Sequence, residues 1–285
     1  MNHSLPPAPP TALVVAVPAH DEAATLPSVL RALHTATRHP RLRAQDLPVV
    51  TVVAADACSD GTAALARRYG AHVVQLARRN VGAARAAAVA HGLDLLGSAA
   101  EHAWIATTDA DTLVPADWLA YQIQQATAGW DCVLGTIRIA PHPTLSTTIA
   151  QHHHTRYFAG RPEHSHTWNH PHVHGANLGV AAPAYHRAHG FPALTHSEDH
   201  ALVAALQRTG ARILSTDDCP VLTSGRTTPR APHGFGAYLH NLRPTPVPAA
   251  LSTPSPAPVP VPSPAPGSPR RSRPHDATES VTCAK

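Results

Sequence analysis

The stretch "WIATTDADTLVP", residues 104–115, runs apolar and then sets two aspartates, Asp109 and Asp111, one residue apart. In an extended segment residues i and i+2 share a face, so both carboxylates point to one place. Like charges repel and resist burial unless something positive lies between them. Two carboxylates so placed suit a hard divalent cation, Mn2+ or Mg2+, with positions left for water and phosphate oxygens. Such an ion acts as a Lewis acid that stabilises charge on a departing diphosphate. The structural alternative is an acidic turn in which Asp111 caps a helix beginning near Pro115.

Two further groups of acids stand out. In "VAVPAHDEAATL" a short strand ends at Pro18, and the turn after it carries Asp21 and Glu22. In "VVTVVAADACSDGT" a second strand ends at Asp56, whose carboxylate can accept hydrogen bonds from the N–H edge of a nucleobase. Asp60 with Gly61 reads as a turn and helix cap. "HSEDHALVAAL" opens an amphipathic helix with Glu198 and Asp199. Acids there complement the helix dipole, worth about 0.3–1 kcal/mol; the sharper reading makes one of them a general base for an attacking hydroxyl. Histidine is the outlier, with 23 residues, many of them in 151–177. Such a tract can bind Zn2+, Ni2+ or Cu2+. Its spacing matches no fixed zinc site and no nearby cysteine completes one, so it reads as a solvated loop.

These acids need a scaffold. From residue 12 to about 216 short apolar runs alternate with helical patterns: "ALVVAVP", "PVVTVVAA", "AHVVQLA", "AWIATTD" and "WDCVLGTIRIA" as strands. The first helix, "TLPSVLRALHTATR", carries Leu26, Val29, Leu30 and Leu33 on one face with Thr25 as its N-cap. "LSTTIAQHHHTRYFAG" reads as a helix and "RPEHSHTWNHPHVHG" as a loop. In the helix from Glu198, Ala201, Leu202, Ala205 and Leu206 are expected to face inward. Doubly buried strands separated by helices imply an α/β fold, a Rossmann-like, mostly parallel sheet covered on both faces. Ligands in such sheets sit at the carboxyl ends of the strands, where Asp56, Asp109 and Asp111 fall. The expected organisation is a disordered leader (1–10), one domain (11–243) and a Pro-rich disordered tail (244–285).

Composition excludes several classes. Formal charge is +4 and 14% of residues are Asp, Glu, Lys or Arg, too mild a balance for nucleic acid. "ALVVAV" is far short of a membrane span, so no transmembrane segment is expected; peripheral contact with a membrane is left open. The start of the chain lacks the pattern of a secretory signal. Cys58, Cys132, Cys219 and Cys283 are scattered, as in reduced cytoplasmic proteins. No G-x-G-x-x-G follows a strand, which counts against a dehydrogenase. The first turn, "PAHDEAAT", has no glycine-rich phosphate loop, which counts against a nucleotidyltransferase.

Taken in order, "VVAVPAHDE", "VVTVVAADACSDGT", "ARRNVGAARAAAVAHG", "TTDADTLVPADWL", "GANLGVAAPAYHRAHGF" and "SEDHALVAAL" resemble the family-2 glycosyltransferases of the GT-A fold. The resemblance implies transfer of a sugar, with inversion, from a UDP- or GDP-linked donor to an acceptor hydroxyl. It implies that Pro18, Ala19, His20, Asp21, Glu22 and Asp56 line the nucleotide pocket. Asp109, Ala110 and Asp111 would form the DxD site for metal and diphosphate, and Asp199 the catalytic base, with Glu198 the runner-up. Arg78, Arg79 and Arg85 fall in the segment that often touches phosphate or nucleotide. His172 and His174 would face the acceptor or the diphosphate, and His233 would be a further metal ligand. Asp21 stands where the family usually has asparagine, and Ala55 replaces one of a usual acid pair. The Q-x-x-R-W motif of the processive membrane synthases is absent, which implies one sugar added per encounter. The alternative is a non-catalytic nucleotide-sugar or metal-binding protein that keeps the fold.

Overall fold

The computed structural model describes residues 9–163, 168–227 and 235–242. His233, Cys283, most of the expected leader and the whole Pro-rich tail lie outside the described residues.

Four β-branched or Ala-rich runs form a parallel block: β1 (Ala12–Ala19), β2 (Val49–Asp56), β3 (His72–Leu76) and β4 (Ala103–Thr107). Every residue of β1 is buried, because the sheet is covered on both faces. Leu13, Val15 and Val17 pack with α1 (Leu26–Thr37) on one side. Ala12, Val14 and Ala16 pack with Ala84, Ala88 and Leu93 on the other, the period-2 division of a doubly buried strand. Along the chain the remaining elements are α2 (Pro40–Arg43), α3 (Thr62–Arg68), α4 (Val81–Leu96), β5 (Thr112–Leu113), α5 (Trp118–Thr127), β6 (Cys132–Ile139), α6 (Thr147–Tyr157), β7 (Leu178–Ala181), α7 (Ala182–Arg187), α8 (Glu198–Arg208), β8 (Ile213–Thr223) and α9 (Phe235–Asn241).

The strands form one sheet in the order β3-β2-β1-β4-β7-β6-β8-β5. The sheet is more mixed than expected. β7 runs antiparallel to both β4 and β6, and β5 antiparallel to β8. A strand buried on both faces carries the same apolar run in either direction, so its sequence does not show its polarity. Two further expectations shift. Thr25 precedes α1, but its side chain makes no cap; its hydroxyl reaches Glu22 Oε2 (2.7 Å) and the Ala110 carbonyl (2.9 Å). In α8 the buried apolar residues are Leu202, Val203 and Leu206, while Ala201 and Ala205 are half-buried.

A buried polar knot locks the second half of the sheet. Trp118 Nε1 donates to Asn177 Oδ1 (2.8 Å), and Asn177 Nδ2 is within hydrogen-bond reach of the carbonyls of Thr136 (2.9 Å) and Cys219 (3.0 Å). Replacing Asn177 with leucine strands these groups. Each buried unsatisfied group costs about 1–3 kcal/mol, so the midpoint of urea unfolding is expected to drop sharply with an unchanged m value.

Candidate active site

The carboxyl ends of β1 and β2 are stitched together by their own acids. His20 Nδ1 donates to the Asp56 carbonyl (2.7 Å). The Asp21 carboxylate accepts from the amides of Ser59 (2.7 Å) and Asp60 (3.2 Å), and the Ser59 amide is the main cause that lowers its pKa. Asp60 accepts from the amides of Ala23 (3.0 Å) and Thr62 (2.9 Å), the expected turn-shaping role. Asp56 is buried and accepts three amides, from Arg78 (2.7 Å), Arg79 (3.1 Å) and Asn80 (2.7 Å). It thereby fixes the loop that leads to Asn80, whose Oδ1 caps α4 at the Ala83 amide (2.9 Å). A carboxylate has about four lone-pair sites, so Asp56 keeps acceptor capacity beside these bonds. The Arg78 and Arg79 side chains are exposed, and among the described residues neither forms an ion pair. Pro18 and Ala19 close β1 within the sheet, opposite Ala54 and Ala55.

The aspartate pair does not sit on an extended strand. β4 stops at Thr107, and residues 109–112 form a turn closed by the Thr112 amide donating to the Asp109 carbonyl (3.1 Å). Nor does Asp111 cap the next helix, since Asp117 occupies that place. Each carboxylate meets its own arginine. Asp109 pairs with Arg85, and Asp111 Oδ2 lies 3.3 Å from Arg226 Nη2. Arg226 also grips Glu22, at 3.0 Å to Oε1 and 3.4 Å to Oε2. Burial, then the charges of Asp109 and Glu22, push the Asp111 carboxyl up to about 7. More negative charge gathers here than the two arginines neutralise, and that is the setting a divalent cation fits. Arg226 carried no signal in the sequence: it follows β8 at no recognisable spacing from the acids it meets.

Arg85 links the turn to the other acid pair. Its guanidinium is 4% exposed and bridges Asp109 and Glu198, and Glu198 is itself buried. Its Nε has no partner among the described residues. A Cβ at Gly175 would overlap this guanidinium, so only glycine lets the backbone approach so closely. Gly175 in turn binds both sides: its carbonyl accepts from Thr107 Oγ1 (2.6 Å), and its amide donates to Asp199 Oδ2 (2.8 Å). Asp199 Oδ1 accepts from the His200 amide (2.8 Å). Asp21, Ala57, Arg79 and Ser197 all have positive φ. These strained backbones lie in the loops that carry the acids, as they do at functional sites.

Among the described residues the histidine tract is only partly solvated: His153 and His170 are buried and His172 and His174 half-buried, while His154 is exposed. Its C-terminal part, residues 168–174, is loop as expected, yet its alternate rings pack on one another. Trp168 contacts His170 (5.4 Å between centroids), His170 stacks on His172 (5.6 Å), and His172 on His174 (6.2 Å). Tyr157 stacks on His172 at 3.9 Å. The ring nitrogens are engaged: His170 Nε2 with the Leu134 and Thr216 carbonyls, His172 Nε2 with the Tyr157 carbonyl, His174 Nε2 with the Tyr157 hydroxyl. Burial lowers all three, His174 to about 3. The alternation His170, His172, His174 was visible in the sequence and signals one buried face of an extended segment.

No curated protein matches the chain. Among solved structures, S. aureus TarS 1-349 in complex with UDP superposes with TM-score 0.53 at 15% identity, covering 75% of this chain and 61% of that one. The mannosyltransferase PcManGT from Pyrobaculum calidifontis, in complex with GDP-Man and Mn2+, gives TM-score 0.54 at 20% identity, with 83% and 63% covered. Glucosyl-3-phosphoglycerate synthase from Mycobacterium tuberculosis, with Mn2+, UDP and phosphoglyceric acid, gives 0.50 at 16% identity, with 75% and 71% covered. The chain thus spans about three fifths of the first two. The shared architecture is the expected GT-A fold. The model described as glycosyl transferase family 2 matches residues 14–187, and the chain belongs to that family.

Proposed function

We propose that this chain is a non-processive, inverting glycosyltransferase that moves a sugar from a UDP- or GDP-linked donor to an acceptor hydroxyl, with Mn2+ or Mg2+. The observation that carries the reading is the double pairing of Arg85 with Asp109 and Glu198. It brings the DxD turn, the donor side, next to the helix that presents Asp199. The similar structures solved with UDP, or with GDP-Man and Mn2+, support the donor class.

Asp109 and Asp111 would hold the cation, which supplies Lewis-acid stabilisation of the departing diphosphate. Asp199 takes the acceptor's proton on a carboxylate oxygen as the hydroxyl oxygen attacks the anomeric carbon. The bond from that carbon to the diphosphate oxygen breaks as the new one forms. The Gly175 and His200 amides hold the carboxylate in place, and each of its oxygens retains a lone pair for the acceptor. The scattered thiols support a cytoplasmic location; Cys58, Cys132 and Cys219 are free, and no described helix is long and apolar enough to cross a membrane.

The test offers UDP- and GDP-sugars with Mn2+ and follows thermal shift and nucleotide release. Wild type is expected to bind one donor in a cation-dependent way and release its nucleotide. Asp111→Asn is expected to weaken donor binding about tenfold or more with Mn2+ present, and hardly at all in chelator. Binding without release on any acceptor points to the non-catalytic alternative; equal donor affinity with and without chelator removes the metal site.

A further inference from the structure

The sheet places Arg226 where a cation is needed. Thr112, next to Asp111, pairs with Thr223 at the end of β8, and their hydroxyls lie 2.9 Å apart. The chain then turns through Ser224 and Gly225 back over the acids. A Cβ at Gly225 would strike the Ala140 carbonyl, so that turn closes only around glycine. Beyond it, Thr227 is tied to Thr144 through its amide and its hydroxyl, both at 3.2 Å. The backbone that carries Arg226 is thus held on both sides, and the guanidinium is aimed at Glu22 and Asp111 from a fixed base.

We infer that Arg226 is the resident counter-cation of the donor site and competes with the divalent cation for Asp111. The inference rests on the proposed metal site at Asp109 and Asp111. The two grips of the arginine are unequal: two nitrogens on Glu22, at 3.0 and 3.4 Å, against a single 3.3 Å contact to Asp111. A divalent ion on Asp111 sets two positive charges on one carboxylate, and they repel. The guanidinium gives up Asp111 when the ion arrives and stays on Glu22. Between turnovers it keeps the Glu22 and Asp111 carboxylates from repelling each other. Cation affinity in the absence of nucleotide is therefore weak by construction.

The test is Mn2+ titration of the full chain without nucleotide, at fixed ionic strength, with free Mn2+ read by electron paramagnetic resonance. A neighbouring charge shifts a carboxylate's proton affinity by one to three units, so Arg226→Gln is expected to bind Mn2+ about tenfold or more tighter than wild type. Arg226→Lys keeps the charge but loses the two-nitrogen grip on Glu22; it is expected between the two, about threefold tighter. Circular dichroism checks folding, and if the glutamine variant does not fold, the lysine variant decides alone. Asp111→Asn is the control that ties the bound ion to this site. Mn2+ binding that depends on Asp111 and is unchanged or weaker in the Arg226 variants overturns the competition and leaves the proposed metal site standing. No Asp111-dependent Mn2+ in wild type or in the Arg226 variants overturns both. Binding that appears only once Arg226 is replaced supports the competition most strongly.

Discussion

Asp199→Asn is expected to lower kcat by about 10²–10⁴-fold, the usual contribution of a general base, while donor affinity stays close to that of wild type. The carboxylate is fixed by two amide donors, from Gly175 and His200, and makes no contact with Asp109 or Asp111 in which donor binding could be lost. Asparagine keeps an acceptor oxygen for one of the two amides, turns its NH2 group toward the other, and offers no basic oxygen. Glu198→Gln separates the base from its runner-up. Glu198 is buried against the guanidinium of Arg85, so its charge holds structure. Neutralising it leaves Arg85 with Asp109 alone, and breaking a buried pair costs about 3 kcal/mol or more. The glutamine variant is expected to melt lower, with activity falling in step with the folded fraction. Single-turnover kinetics with thermal denaturation distinguishes them. If Asp199→Asn keeps its turnover and Glu198→Gln loses it at unchanged stability, the roles are reversed.

What the sequence revealed and what it hid have physical causes. Strand ends and acid turns were legible because a buried apolar run must stop where charge begins: β1, β2 and β4 end within two residues of His20, Asp56 and Asp109. The family resemblance supplied Asp199; the residue itself looked like ordinary helix N-terminal charge. Three features stayed hidden because they are set by distant contacts. The polarity of β7 is one. The Glu22–Arg226 pair, 204 residues apart in the chain, is another. The third is the fate of the amide-binding carboxylates. Asp21 and Asp56 were expected to line the nucleotide pocket; in the structure both carboxylates hold loop backbone in place, through the amides of Ser59 and Asp60 and of Arg78, Arg79 and Asn80. A carboxylate at a strand end is the natural acceptor for the free amides of the next loop, and sequence alone does not tell such an acid from one that waits for ligand.

The histidine core makes acid lability the second large effect. Burial holds His153 at about 4 and His174 at about 3, and lowers His170 and His172 as well. In the unfolded chain these imidazoles titrate near 6.5. Between about pH 6.5 and 4 the unfolded state therefore binds more protons, and stability falls as pH falls. Above about 6.5 the contribution is fully present. Each such histidine tilts stability by about 1.4 kcal/mol per pH unit, so His153 and His174 together give about 3. Asp111 works the other way: its raised value lets the folded state take a proton first, between about 7 and 4, and it offsets about one histidine. Of the 5–15 kcal/mol a domain has to lose, this net tilt of about 1.4 kcal/mol per pH unit removes roughly 3 between pH 6.5 and 4, expected as a falling midpoint of urea unfolding followed by tryptophan fluorescence and far-UV circular dichroism. His174→Gln keeps a polar partner for the Tyr157 hydroxyl but cannot titrate. It should flatten the dependence of unfolding free energy on pH by about 1.4 kcal/mol per unit, even if it is less stable at pH 8. The same slope in wild type and variant would mean that His174 is solvated and that the stacked imidazoles do not carry the acid response.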